Sequence, residues 1–275
     1  MPELPEVETI RRELEPLVAG RTIEQVVITD TRLVQPASPS DFEAALAGER
    51  IGALERHGKY LLLRFESGRT LATHLRMTGS FRYLEGGSPV DPYRRARLEL
   101  DDGSRLDYRD VRRFGTWRLL EAGELESFLA ARVGPEPLEP EFTTELLRER
   151  LDGRRAPLKA AVLDQKTVAG LGNIYADEAL WRARLHPATP AGSLSRRAIV
   201  RLHQAVRETL ALGIARQGAT LRDYTLPDGE RGTMQDEFVV YGRDGEPCAR
   251  CGARIAKIRV GGRGTWFCPR CQRRR

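Results

Sequence analysis

The four cysteines of this chain stand in one cluster, CARC at 248–251 and CPRC at 268–271, and that spacing limits what the C-terminus can fold into more than any other feature. Cys-x2-Cys, sixteen residues and Cys-x2-Cys is the pattern of two knuckles closing tetrahedrally on one zinc ion, with Cys248, Cys251, Cys268 and Cys271 as ligands. Two disulfides are the alternative use of four thiols. The N-terminus is acidic and lacks an apolar secretory segment, so a reducing, cytoplasmic setting is expected, which favours the metal. Residues 238–275 are too few to bury a sizeable core, and a single structural zinc is expected to hold them folded. Between the knuckles, GARIAKIRVGGRGTWF reads as a β-hairpin with Arg263 at its turn. The neighbouring Gly261, Gly262 and Gly264 let a phosphate approach the backbone closely.

The same segment concentrates the charge. Across 275 residues the net charge is only +6, but residues 243–275 hold ten Lys or Arg and two acids, leaving 35 basic and 37 acidic residues elsewhere. An Arg-dominated asymmetry of this size favours a polyanionic partner. No apolar run approaches the length of a membrane span.

Upstream, the hydrophobic period changes once. From about Thr22 to Leu120 the chain alternates short β-branched or aromatic runs with turns, and DDGS at 101–104 is a strong hairpin signal. A β-sandwich or barrel with an N-terminal helix packed on it fits this pattern. GPEPLEPEF at 134–142 reads as a linker, after which TTELLRERL, PLKAAVLDQ, NIYADEALWRARL and SLSRRAIVRLHQAVRETLALGIARQG have the helical period. The expected organisation is therefore α+β and multidomain: residues 1–133, 134–237 and 238–275.

The chain opens MPELPEVET, and two readings of that stretch compete. In one, Pro2 and the acidic residues dress the first turn of a helix whose apolar face is Val7, Ile10, Leu14 and Leu17, with Gly20 at its end. In the other, the small second residue lets the initiator Met be removed, so that Pro2 becomes an α-amine. Its ordinary pKa of about 7.7 to 8, against about 10.4 for Lys, leaves far more free base near neutrality. A secondary amine that attacks a sugar C1′ gives an iminium, the Schiff-base form of covalent catalysis.

Seven ordered motifs, PELPEVET, HGKYL, HLRMTGSF, RRFG, PLKAAVLDQ, GLGNIYADEAL and GGRGTWFCPRCQ, together resemble the formamidopyrimidine-DNA glycosylases, bacterial base-excision repair enzymes. The resemblance covers essentially the whole chain and implies a helical helix-two-turns-helix domain between the β-sandwich and the zinc hairpin. It also implies a bifunctional glycosylase and AP lyase that excises oxidised purines, such as 8-oxoguanine and formamidopyrimidines, from double-stranded DNA and cuts the strand by β- and δ-elimination. On this reading Pro2 is the nucleophile, Glu3 the proton donor, Glu6 a support, and Lys59 serves the elimination. Arg263 is assigned a proton-donor role in the family, but a guanidinium is a poor acid, and it reads chiefly as a phosphate clamp.

The resemblance further makes Met77, Arg112 and Phe114 a wedge, since an enzyme that works on a base must extrude it and fill the gap. His74 and Arg113, in the same motifs, join the DNA-binding set. Asn173, after two glycines and at a helix start, and Lys159 are implied phosphate contacts. The loop around GATLRDY at 218–224 resembles the one that closes over the extruded base and is expected to be mobile without DNA. Three departures stand out: Tyr93 where the family often has His, Arg154 where it often has Lys, and DVRRFG in place of the usual Asp-Pro. Zinc is the sole expected cofactor, and a monomer is expected. The rivals are an endonuclease VIII-type enzyme for oxidised pyrimidines, disfavoured by Leu4, Arg112 and Phe114, and a non-catalytic zinc-containing DNA-binding protein, which would not need Pro2, Glu3 and Lys59 together.

Overall fold

The computed structural model describes residues 2–86 and 91–274, so Met1, whose removal is expected, lies outside the described residues. The chain divides into two compact units, Met1–Ala131 with Gln217–Thr233, and Arg132–Arg216 with Met234–Arg275.

In the first unit the polypeptide runs through α1 (Leu4–Val18), β1 (Ile23–Ile28), α2 (Pro39–Leu46), β2 (Ile51–His57), β3 (Tyr60–Phe65), β4 (Thr70–His74), β5 (Gly79–Leu84), β6 (Arg94–Leu100), β7 (Arg105–Asp110), β8 (Thr116–Leu120) and α3 (Leu125–Ala130). The strands form two antiparallel four-stranded sheets, ordered β1-β6-β7-β5 and β2-β3-β4-β8. Period-two alternation supplies the shared core: Val26, Leu98, Leu106, Phe81 and Tyr108 from one sheet meet Leu54, Leu61, Leu63 and Trp117 from the other. Strand β3 is apolar on both faces because Leu62 packs outward against Leu125, Phe128 and Leu129 of α3 and its flank. Helix α1 buries Leu4, Val7, Ile10 and Leu14 completely, but its last buried position is Val18, and Leu17 is exposed. Helix α2 interrupts the stretch read as purely β. Ser38 caps it by accepting from the Asp41 N–H, and Phe42 and Leu46 are its buried face.

The second unit contains α4 (Thr144–Leu151), α5 (Leu158–Leu163), α6 (Asn173–Ala183), α7 (Arg196–Ala215), and the hairpin strands β9 (Ala256–Val260) and β10 (Arg263–Phe267). The change to a helical period after the linker is thus realised. The first unit's cut after Ala131 lies beside the boundary expected at 133, but the helical and zinc segments expected to be separate cluster as one unit, and 217–233 is split from the helices it follows. Residues 217–233 return to the first unit, where Tyr224 and Leu226 join its core and the Ala219 N–H donates to Glu6 at 2.8 Å. The zinc segment clusters with the helices: Glu178 accepts from the N–H groups of Val239, Val240 and Tyr241, and Gln272 donates to the Leu185 carbonyl.

Candidate functional site

The acidic residues do dress the helix start, since Glu3 and Glu6 form a capping box, but Pro2 is not the first-turn proline. Helix α1 begins at Leu4 with Glu3 as its N-cap and Pro5 as its first-turn proline, which leaves Pro2 outside the helix and buried. Glu3 and Glu6 are each 1% exposed, and the Glu3 N–H donates to Glu6 Oε2 at 2.7 Å. The second oxygen of Glu6 accepts from Ala219, so one carboxylate links the residue after Pro2 to the base of the 217–233 loop. That loop is anchored at several points, with the Tyr224 hydroxyl donating to the Gln217 carbonyl, while its tip around Leu221, Arg222 and Asp223 is exposed.

Lys59 sits in the two-residue turn between β2 and β3 and is 6% exposed, unlike an ordinary hairpin lysine. The turn is braced from α1. Glu8 accepts from Arg56 Nε at 3.1 Å, and Arg56 Nη1 donates to the Gly58 carbonyl at 3.2 Å. Burial alone would raise the Glu8 pKa, but hydrogen bonds from Arg11 and Arg12 and the charges of Arg56 and Arg11 outweigh it and hold the carboxyl at about 2. The brace therefore stays ionised at any pH at which a DNA duplex survives. Sequence reading took Glu8 only as dressing of the helix start and missed Arg56, because an ion pair across 48 positions leaves no local signal.

Strand register then brings the other expected residues to one end of the sandwich. Tyr60, next to Lys59, pairs with His74, and His74 pairs with Thr116 at the start of β8. Burial, together with the positive charges of Arg76 and Lys59, pushes His74 down to about 3, so its ring is neutral near pH 7 and Nδ1 accepts the Arg76 N–H. In the second sheet Gly79 pairs with Asp110, so the turn that carries Met77 and the loop that carries Arg112 leave the sheet from the same register pair.

Asp110 organises this end. Its carboxylate accepts from the Thr78 hydroxyl and from the Gly115 N–H at 2.8 Å, while Thr78 Oγ1 accepts the Arg112 N–H at 2.9 Å. Arg113 adopts φ +60° between Arg112 and Phe114, a left-handed conformation that a β-carbon disfavours. It is held there by a bidentate pair with Asp30 at 2.6 and 2.7 Å, so the guanidinium expected on DNA has a partner within the protein. The residue after Phe114 must be glycine, since a β-carbon at Gly115 would lie 1.8 Å from the Tyr108 hydroxyl. The result is a bent loop that leaves Phe114 half exposed, at 51%, with the Arg112 guanidinium 4.7 Å from its ring centroid. Met77 is half-buried. Tyr93 is exposed and stacked under Arg109, 4.8 Å from its ring centroid.

In the second unit the four cysteine sulfurs lie within 4.8 Å of one another, with Cys251 and Cys268 3.5 Å apart and Cys248 and Cys271 4.0 Å apart. A tetrahedral zinc with bonds of about 2.3 Å needs sulfur separations of about 3.8 Å, whereas a disulfide would need about 2 Å. The residues fit one zinc. Gly261 and Gly262, both at positive φ, turn the hairpin and present an exposed Arg263, as the sequence suggested.

Asn173 stands at the first residue of α6, with Gly172 as N-cap, and its Nδ2 donates to the Gly264 carbonyl at 3.2 Å. Arg154 pairs with Asp164 at 2.9 Å and is partly exposed. Lys159 departs from expectation. It is completely buried, and its ammonium meets the Gly264 carbonyl at 2.8 Å, Thr265 Oγ1 at 2.9 Å and Asp177 Oδ1 at 2.8 Å. An ammonium has three protons, all engaged here, so Lys159 is a bolt between α5 and the zinc hairpin and not a phosphate contact. Burial pushes the Asp177 carboxyl up, against the pull of Lys159, and its Oδ2 also accepts the Trp266 N–H.

Because Arg263 rides on a hairpin with so little core of its own, removing zinc should unfold it. Chelation, or Cys268→Ser, is expected to release the metal and abolish most duplex affinity, read by metal analysis and fluorescence anisotropy on the same sample. Normal binding by a metal-free chain would refute this.

Comparison with known proteins agrees with this geometry along the whole chain. The family described as "Formamidopyrimidine-DNA glycosylase N-terminal domain" matches residues 1–117, "Formamidopyrimidine-DNA glycosylase H2TH domain" matches 133–225, and "Zinc finger found in FPG and IleRS" matches 245–274. The formamidopyrimidine-DNA glycosylase of Chloroflexus aggregans is 48% identical over 272 residues, 99% of this chain and 98% of that protein. A Lactococcus lactis Fpg bound to DNA containing Fapy-dG superposes with a TM-score of 0.92 at 40% identity, covering 99% of this chain and 100% of that one. The structure of MutM with DNA containing carbocyclic 8-oxo-G gives 0.92 at 41% identity with the same coverage. With all three parts matched in order, a buried carboxylate network behind Pro2 and a four-thiolate zinc site, the chain belongs to the formamidopyrimidine-DNA glycosylase family.

Proposed function

We propose that this protein is a bifunctional DNA glycosylase and AP lyase that removes oxidised purines, 8-oxoguanine and formamidopyrimidines, from duplex DNA, working where the bacterial nucleoid lies. The observation that carries the reading is the N-terminus itself: Pro2 lies outside α1 and is buried, and Glu3 and Glu6, which follow it in the chain, are nearly inaccessible. In the proposed reaction the Pro2 nitrogen bonds to C1′ as the bond from C1′ to the damaged base breaks, and the proton that the amine loses goes to the departing base. Glu3 gives a proton to the sugar ring oxygen as the ring opens, leaving an iminium. Loss of the C2′ proton then expels the 3′ phosphate, loss of the C4′ proton expels the 5′ phosphate, and water hydrolyses the iminium to free the Pro2 amine and release the sugar remnant as an aldehyde.

Lys59, fixed by the Glu8–Arg56 brace, is the proposed partner of these eliminations, and Glu6 holds Glu3 in place. Met77, Arg112 and Phe114 are the proposed wedge, with His74, Tyr93, Arg154, Asn173 and Arg263 as backbone contacts. His74, being neutral, can serve only through a hydrogen bond. Among the described residues no helix is long and apolar enough to cross a membrane.

The test is a cleavage assay on duplexes bearing one 8-oxoguanine or one thymine glycol, with borohydride present in a parallel arm. Cleavage of the 8-oxoguanine duplex, with a reduced adduct mapped to Pro2 by mass spectrometry, is the expected result. Preference for thymine glycol would make the protein an endonuclease VIII-type enzyme. Binding with neither cleavage nor adduct would make it a non-catalytic DNA-binding protein.

A further inference from the structure

The zinc centre has a neighbour that its four ligands do not explain. Trp181, in the last turn of α6, is 8% exposed, and its indole Nε1–H points at Cys248 Sγ, 3.4 Å away. Cys248 is itself buried, and the same apolar cluster takes in Val240, Ile255 and Cys268. An indole N–H can only donate, and buried next to a thiolate it has an anionic acceptor, which strengthens the bond. Arg250, between the first two cysteines, closes over the opposite side. Its guanidinium carbon lies 3.8 Å from the Trp181 ring centroid, and its Nη1 donates to the Trp181 carbonyl at 3.1 Å. Arg250 thus fixes the indole whose N–H approaches a site that four thiolates leave with excess negative charge around a dication.

We propose that Trp181 is a positioning residue of the zinc centre, whose indole N–H holds the Cys248 thiolate, lowers its reactivity and ties metal occupancy to the end of α6. A hydrogen bond withdraws electron density from sulfur. The sulfur is then a weaker nucleophile toward other electrophiles, and the knuckle is held in the orientation that closes on the metal, which favours zinc binding. Because α6 also carries Asn173 at its other end, the zinc knuckle and this implied phosphate contact share one rigid element.

The test uses the full-length holoprotein. Trp181→Phe keeps an aromatic ring for Arg250 and removes the N–H together with the pyrrole part of the indole, so the cadmium arm, which changes no packing, decides the hydrogen bond. The variant should lower zinc affinity by roughly ten- to a hundredfold in chelator competition. With cobalt in place of zinc, the thiolate-to-metal charge-transfer band should move to lower energy. Iodoacetamide, whose carbon bonds to sulfur as iodide leaves, should alkylate Cys248 several-fold faster. The wild-type chain provides an arm that needs no variant: loaded with spin-active cadmium, the Trp181 indole proton should show scalar coupling to the metal through sulfur. If the variant matches wild type in affinity and band position, or if the cadmium-loaded wild type shows no coupling, Trp181 is packing alone and the proposal falls.

Discussion

A chain carrying a short uncleaved leader ahead of Pro2 is expected to bind a damaged duplex almost as well as the native protein and to cleave it at least about a thousandfold more slowly, since removing a covalent nucleophile costs several orders of magnitude. The reason is electronic. Joining a leader converts the Pro2 amine into a tertiary amide, whose nitrogen lone pair is delocalised into the carbonyl and cannot attack C1′. Binding should survive because Arg263, Asn173 and the zinc hairpin belong to the other compact unit. Pro2 is buried, so a leader can also disturb packing, and a second variant separates the two effects. Pro2→Gly retains an α-amine of ordinary pKa near 8 and should still be trapped by borohydride, at a reduced rate. Single-turnover cleavage, borohydride trapping and melting temperature would be measured on all three chains. A leader-bearing chain that cleaves normally, or one trapped through Lys59, would show that the amine of Pro2 is not the nucleophile.

What sequence could reveal follows the range of the interactions involved. The zinc ligands were readable because their chemistry is compressed into a few adjacent letters, and the hairpins because a turn such as DDGS is a local event. The networks that hold the site are not local. Asp110 reaches Thr78 across 32 positions and Arg113 reaches Asp30 across 83, through strand pairings that no single segment announces. Lys159 shows the same limit from the other side. A lone lysine in PLKAAVLDQ invites a solvent-facing reading, and only the fold reveals that Asp177, Thr265 and the Gly264 carbonyl converge on it. The 217–233 loop follows a long helix in sequence yet belongs with α1, because its partners, Glu6 and the sandwich core, come from the far end of the chain.

Truncating Phe114 to Ala should leave the melting temperature almost unchanged while removing much of the activity on a lesion in duplex DNA. The exposed ring decides the first half. A buried phenylalanine cut to alanine costs about 3 to 5 kcal/mol, but one that is 51% exposed, on a loop fixed by Asp110 and Asp30, contributes little that the fold would miss. The second half follows from what the loop presents. Unstacking a base step costs a few kcal/mol, and an apolar side chain placed in the gap recovers part of that, so its loss should appear when the duplex is opened. The same lesion in single-stranded DNA has no stack to open and should be affected far less. Arg112, stacked on the ring with its guanidinium free to reach the unpaired base, predicts a different signature. Arg112→Ala should flatten the preference among the four bases opposite 8-oxoguanine, because a donor that bonds the widowed base is the group that distinguishes it. Thermal melts and single-turnover rates on the four duplexes measure both effects. A large fall in melting temperature for Phe114→Ala, or an unchanged opposite-base profile for Arg112→Ala, would mean that this bent loop stabilises the sandwich and takes no part in reading DNA.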